Sequence, residues 1–177
     1  MTEQFLGAAA RSEDAAAMLA DLTARGVEVV AVQAGDRLTI GASELEFLWP
    51  DRGYTPRIDN DASLIALLRI PTGAGERRIL LTGDATETAL GLLSQRGDTF
   101  DADIIEAPHH GSYNAAGAAL VRVTSPVAVL QSTGARRGTD PRWLDAVGSS
   151  AWLSTAERGA CAAWIERDGS VRWTTFR

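Results

Sequence analysis

Apolar and polar positions along the chain alternate in short blocks with two different periods. Residues 12–25, SEDAAAMLADLTAR, are alanine-rich with apolar residues at helical spacing, which predicts a helix capped by Ser12 and stopped by Gly26. VEVVAV (27–32) predicts a strand, and DRLTIGASELEFLWP (36–50) predicts two short strands around Gly41, ended by Pro50. Residues 51–62 are a polar loop. SLIALLRI (63–70) and RRILLTG (77–83) predict a hairpin, with PTGAGE between its strands. A helix over 85–96 follows Asp84, then a buried strand, ADIIEA (102–107), a helix over 114–122 and the strand VAVLQS (127–132). DPRWLDAV (140–147) predicts a helix with Asp140 as cap and Pro141 at its first position. Strands close the chain near 151–154, 161–166 and 171–175, the last two joined by RDGS. Many strands with helices between some of them predict a layered α/β domain on a mixed sheet.

The length of 177 residues fits one domain, 1–177. The formal charge of −6 and pI near 4.9 make the chain a poor generic binder of nucleic-acid phosphates, because its long-range field repels them. Local binding through a metal or an arginine pair is not affected by that argument. Cys161 is the only cysteine, which excludes a disulfide framework and a multi-thiolate zinc knuckle. It lies in a predicted strand and reads as a buried apolar thiol. No apolar run reaches membrane-spanning length, and the N-terminus lacks the basic-then-apolar order of a signal peptide. The chain reads as soluble, either cytoplasmic or a soluble part of a membrane-associated protein. The five tryptophans are spread along the chain and read as core and edge anchors rather than a base-stacking platform.

Two loops carry candidate chemistry. In LLTGDATE (80–87) an apolar strand delivers Asp84 at its C-terminal end, where ligands bind in open α/β sheets, and at the start of a helix whose dipole favours a carboxylate. Asp84 is therefore either a metal ligand or a helix cap. EAPHHGS (106–112) also follows a buried strand, and its His109 and His110 are the only histidines. They are either metal ligands or ordinary loop histidines, with one expected to face the site and the other to support it. Arg136 and Arg137 read as a phosphate-holding pair or a solvated turn. Ser112 follows His110, but nothing around it resembles a nucleophile elbow.

ILLTGDATE, then ADIIEAPHHGS about 25 residues on, then VTSPVAVLQSTG and STAERGACAAWI resemble the second half of a metallo-β-lactamase-fold hydrolase domain of the ComEC/Rec2 competence-protein type. AGDRLTIGASELEFLWP (34–50) and DNDASLIALLRI (59–70) resemble further segments of that family, so the likeness covers nearly the whole chain. It implies the second half of an αββα sandwich. It also implies that Asp84 bridges two metals and that His109 or His110 supplies a ligand from the opposite side. Zn2+ or Mn2+ would be the cofactor, and a metal-activated hydroxide would attack a phosphodiester, such as DNA during uptake.

The chain departs from the family in two places. The signature His-x-His/Asp-x-Asp-His is absent, since no histidine precedes His109, and the chain is expected to begin just downstream of it. In GARRGTDP (134–141), Asp140 stands where the family has histidine. Asp84, the histidines and, less directly, Glu87 or Asp140 are expected to hold one metal weakly and not two. Hydrolysis is then expected to be impaired, and the alternative is a non-catalytic scaffold for binding or assembly. Leu64, Ala66, Leu68 and Ile70 share one face of a strand and Ile65, Leu67 and Arg69 the other, as for a strand covered on both sides. With a partner sheet lacking, the chain is expected to form a homodimer, to bind a missing N-terminal half-domain, or to aggregate, unless the helix at 12–25 covers the face.

Overall fold

The computed structural model describes residues 13–95 and 101–176. The expected cap Ser12 and the end of the second helix at Arg96 lie outside them. The chain is an α/β protein with a mixed sheet of seven strands in sequential order: β1 (Arg37–Ile40), β2 (Ser43–Trp49), β3 (Ile65–Thr72), β4 (Gly75–Leu81), β5 (Ile104–Glu106), β6 (Ala128–Gln131) and β7 (Ala151–Ser154). The pairs from β1 to β4 are antiparallel, and those from β4 to β7 are parallel. A separate antiparallel hairpin is made by β8 (Ala160–Ile165) and β9 (Val171–Phe176). The helices of five residues or more are α1 (Glu13–Ala24), α2 (Glu87–Gln95), α3 (Ala115–Thr124) and α4 (Trp143–Val147), with single helical turns at Pro108–Gly111 and Thr155–Arg158.

Local chemistry explains where these elements start and stop. The β3–β4 strands run on through Pro71–Thr72 and Gly75–Glu76, leaving only Gly73 and Ala74 as the turn. Thr72 Oγ1 closes that turn by donating to Gly75 O at 2.6 Å. The helix expected over 114–122 forms as α3 because Asn114 Oδ1 accepts from Gly117 N at 2.7 Å, and it ends at Ser125 in the left-handed region.

The strand expected at 27–32 does not form; these residues are irregular chain between α1 and β1. A strand needs a hydrogen-bonded neighbour, and β1 already occupies the edge beside β2. The helix expected from Asp140 is also shorter. Asp140 O accepts from Trp143 N, and Asp140 Oδ1 accepts from Arg142 N, so a turn precedes α4.

The sheet has two apolar faces. Leu67, Leu80, Ile105, Val129 and Trp152 are register partners across β3 to β7, and all are buried. They share a core with Leu90 and Leu93 of α2, Val121 of α3 and Trp143 of α4. The opposite face carries the row Leu38, Leu45, Leu68, Ile79, Ile104, Ala128 and Ala151. At the parallel end Ile104 and Ala128 are buried, where β8 packs by β6. The β8–β9 turn is tied to the β3–β4 turn by Gly73 N donating to Arg167 O and Arg77 Nε donating to Gly169 O, both at 2.8 Å. Toward the antiparallel end the cover gives out: Leu38 is 51%, Ile40 53% and Leu81 40% exposed. The chain's own cover is thus the C-terminal hairpin and not α1, none of whose described side chains is buried.

Candidate functional site

The site forms where β4 and β5 run parallel, so that their C-terminal ends deliver two loops side by side. Glu106, the last residue of β5, holds the first loop in place. Its Oε2 accepts from Thr82 N at 3.1 Å and from Gly83 N at 3.0 Å, and its backbone O accepts from Thr82 Oγ1 at 2.9 Å. Gly83 has φ +52, and a Cβ there would meet Leu64 O at 3.4 Å, so this tight approach suits glycine. Asp84 follows, with its carboxylate half-exposed. It is not the cap of α2: that helix starts at Glu87, and the preceding residue is Thr86, whose Oγ1 donates to the buried carboxylate of Asp61.

The second loop is a single turn, Pro108–Gly111, in which His109 (φ 47, ψ 50) and His110 (φ 56, ψ 24) are both left-handed. Two non-glycine residues in that region are costly, and the surroundings hold them there. His109 N donates to Gly83 O at 2.9 Å, which ties the two loops together. The left-handed turn also separates the imidazoles, with ring centroids 6.4 Å apart. His110 Nε2 lies 3.1 Å from Asp84 Oδ1, and its Nδ1 lies 3.0 Å from Ser132 O. His109 turns instead to Asn60, with Nε2 to Nδ2 at 3.3 Å. Of the pair, His110 is the one whose ring meets Asp84, while the ring of His109 faces Asn60.

A carbonyl oxygen only accepts, so the proton on His110 Nδ1 is fixed by Ser132 O. Nε2 of a neutral ring then presents a lone pair to the Asp84 carboxylate. Two acceptors at that separation need a cation or a proton between them. Their spacing matches the edge of a tetrahedral zinc site, about 3.3 Å for ligands at about 2.0 Å. The second ring nitrogen held by a carbonyl is also the usual arrangement for a metal-bound histidine. Among the described residues, no group of three His, Cys, Asp or Glu side chains converges as a metal cage.

The other expected site residues fall around this pair. Arg136 and Arg137 line an open groove of about 450 Å3 with His110, Ser132, Thr133 and Gly134. Arg137 Nη1 donates to His109 O at 3.3 Å. Ser112 lies in the adjoining groove with Tyr113, Arg137, Thr139 and Asp140. Asp140 is engaged by Arg142, whose Nε and Nη2 donate to its two oxygens at 3.0 and 2.7 Å. That contact holds the Asp140 carboxyl down to about 2. Glu87 is exposed in the first turn of α2. Cys161 is half-buried and donates to Gly159 O, a structural place.

Sequence reasoning did not single out Glu106, Asn60 or Gln131. Glu106 had a signal, being a charged residue directly after the apolar Ile104–Ile105 pair and just ahead of the histidine loop. Asn60 and Gln131 had none, because amides in a polar loop and at a strand end are ordinary. No described helix is long and apolar enough to cross a membrane. Comparison with protein-family models, with curated proteins and with solved structures finds no match to this chain.

Proposed function

We propose that the chain carries part of a metal-dependent hydrolytic site of the metallo-β-lactamase type, directed at phosphodiesters, with Asp84 and His110 as its metal-holding residues. One observation carries the reading: with its Nδ1 held by Ser132 O, His110 places Nε2 3.1 Å from Asp84 Oδ1, a spacing that two ligands of one ion would take when Nε2 is unprotonated. A Zn2+ or Mn2+ ion bound there would supply Lewis acidity and an activated water. Asp84 would hold such an ion and offset part of its charge. Ser132 fixes the tautomer and aim of His110. Asn60 steadies His109, and Arg136 and Arg137 orient a phosphate in the groove beside the pair. The mixed sheet with helices on one face gives the α/β class alone, and the metallo-β-lactamase assignment rests on the sequence strings. The ComEC/Rec2 likeness and a role in DNA uptake rest on the same strings.

Two protein donors give weak affinity, and the site as described leaves most of the coordination to water, substrate or another chain. Calorimetric titration with Zn2+ and with Mn2+ tests this. One weakly bound ion is expected, lost in both Asp84→Ala and His110→Ala. Tight binding of two ions would mean a larger ligand set than Asp84 and His110. Bis-p-nitrophenyl phosphate is expected to be cleaved slowly or not at all, and ordinary turnover abolished by Asp84→Ala would contradict the weak-site reading. A second reading, a non-catalytic assembly module, is favoured by the lack of a third converging ligand among the described residues. In that reading a proton on His110 makes an ordinary ion pair with Asp84, and titration with either metal gives no heat.

A further inference from the structure

Gln131 is the last residue of β6 and is 1% exposed. A buried primary amide is costly unless its hydrogen-bonding capacity is used. Here it is all used, by two separate loops and by Trp152 of β7. Nε2 donates to His110 O at 3.1 Å and to Gly138 O at 3.0 Å. Oε1 accepts from Thr139 Oγ1 at 2.8 Å and from Trp152 Nε1 at 3.0 Å. One side of the amide therefore fastens the turn that bears His110. The same side and the other together fasten Gly138 and Thr139, which close the loop bearing Arg136 and Arg137. The fit against the histidine turn is close: a Cβ on Gly111 would lie 2.3 Å from Gln131 Nε2. Glycine at that point, with φ +77, is what lets the amide reach the turn.

We infer that Gln131 is a positioning residue that sets the distance between the His110 turn and the arginine loop. The inference rests on the metal-site reading above for its functional meaning, but the coupling of the two loops is a property of the chain alone. Neither loop has a regular element of its own to fix it. The histidine turn is held in left-handed backbone, and Gly138 is also left-handed at φ +61. The amide at the end of a sheet strand supplies the rigid reference for both. Its four partners lie on three different segments, so no single partner replaces it.

Gln131→Glu tests the inference. It keeps the size and the acceptor for Thr139 and Trp152, and it puts an oxygen where two carbonyls need a donor. Thr124→Val is the control, since the Thr124 hydroxyl is also buried but bonds only within α3, to Leu120 O and Val121 O. In metal-free protein, ring 15N signals of His110 and backbone amide signals of Arg136 and Arg137 are expected to move together in Gln131→Glu and to stay in place in Thr124→Val. With Mn2+ and inorganic phosphate as probes, both affinities are expected to fall about tenfold, as for lost outer-shell support of a metal ligand. If Gln131→Glu is folded and either loop keeps its wild-type signals, the coupling is wrong. If Gln131→Glu does not fold, Thr139→Val decides. It loosens the amide from the acceptor side at constant shape, and an unmoved His110 ring signal there overturns the inference. Wild-type protein that binds neither probe sinks the metal-site reading instead, and the ring and amide signals still decide the coupling.

Discussion

A carboxylate facing two backbone N–H groups does more for the site than the residues that face solvent. Glu106 takes up Thr82 N and Gly83 N, and Thr82 is fully buried. Glu106→Leu would leave both donors without an acceptor and is expected to cost about 2 kcal/mol in urea unfolding. It should also weaken Mn2+ binding, because the turn before Asp84 loses its anchor. A second carboxylate gives a pH signature. Arg69 donates to Glu46 at 2.9 Å, and this contact holds the Glu46 carboxyl below the usual range, against burial, with Arg37 assisting. A lowered pKa in the folded state means the contribution is fully present above the ordinary glutamate pKa and is lost as pH falls through the folded value. The stability difference between wild type and Glu46→Gln is therefore expected to be largest near neutrality and to shrink below about pH 4.3. Urea midpoints measured from pH 6 to pH 3 check it, and a gap that widens on acidification would refute it. Legibility at this scale was uneven. Asp84 and the histidines stood out because each follows an apolar strand. Which histidine faces Asp84 did not, since alternation along a strand no longer applies once both residues are left-handed.

Elements were legible where the chain carries its own punctuation. The Gly-rich turn of β3–β4 and the RDGS turn of β8–β9 are local signals, and those elements form as expected. Asn114→Ala is expected to cost about 1 kcal/mol, read as a lower thermal midpoint, because Gly117 N loses its acceptor at the first turn of α3. VEVVAV fails for the opposite reason. Its β-branched content signals extended backbone, but only a neighbouring strand makes a strand of it, and that information is not local. Gln131 belongs to the same class, because its partners come from residues 110, 138, 139 and 152.

At the scale of the whole molecule, the face of the sheet away from the helices is covered at the parallel end and open at the antiparallel end. Leu38, Ile40 and Leu81 lie on that open part, and Trp164, Trp173 and Phe176 are exposed on the hairpin beside it. Self-association that fades on dilution is expected by light scattering, and a Leu38→Lys, Leu81→Lys double variant should shift the equilibrium toward monomer. A chain that stays monomeric and binds no hydrophobic dye at every concentration would show the half-buried rows to be cover enough. The switch from antiparallel to parallel pairing at β4 has a further consequence in time. The pairs β1–β2 and β3–β4 are joined by two-residue turns, while β5 to β7 each close onto the preceding strand over an intervening helix, and closing such longer loops is slower. Pulse-labelled hydrogen exchange during refolding should find β3–β4 amides protected before those of β5 and β6. Asp84 would then stand ready at the end of a formed hairpin while His110 is still searching for Ser132, and the site would be the last thing the chain learns to make.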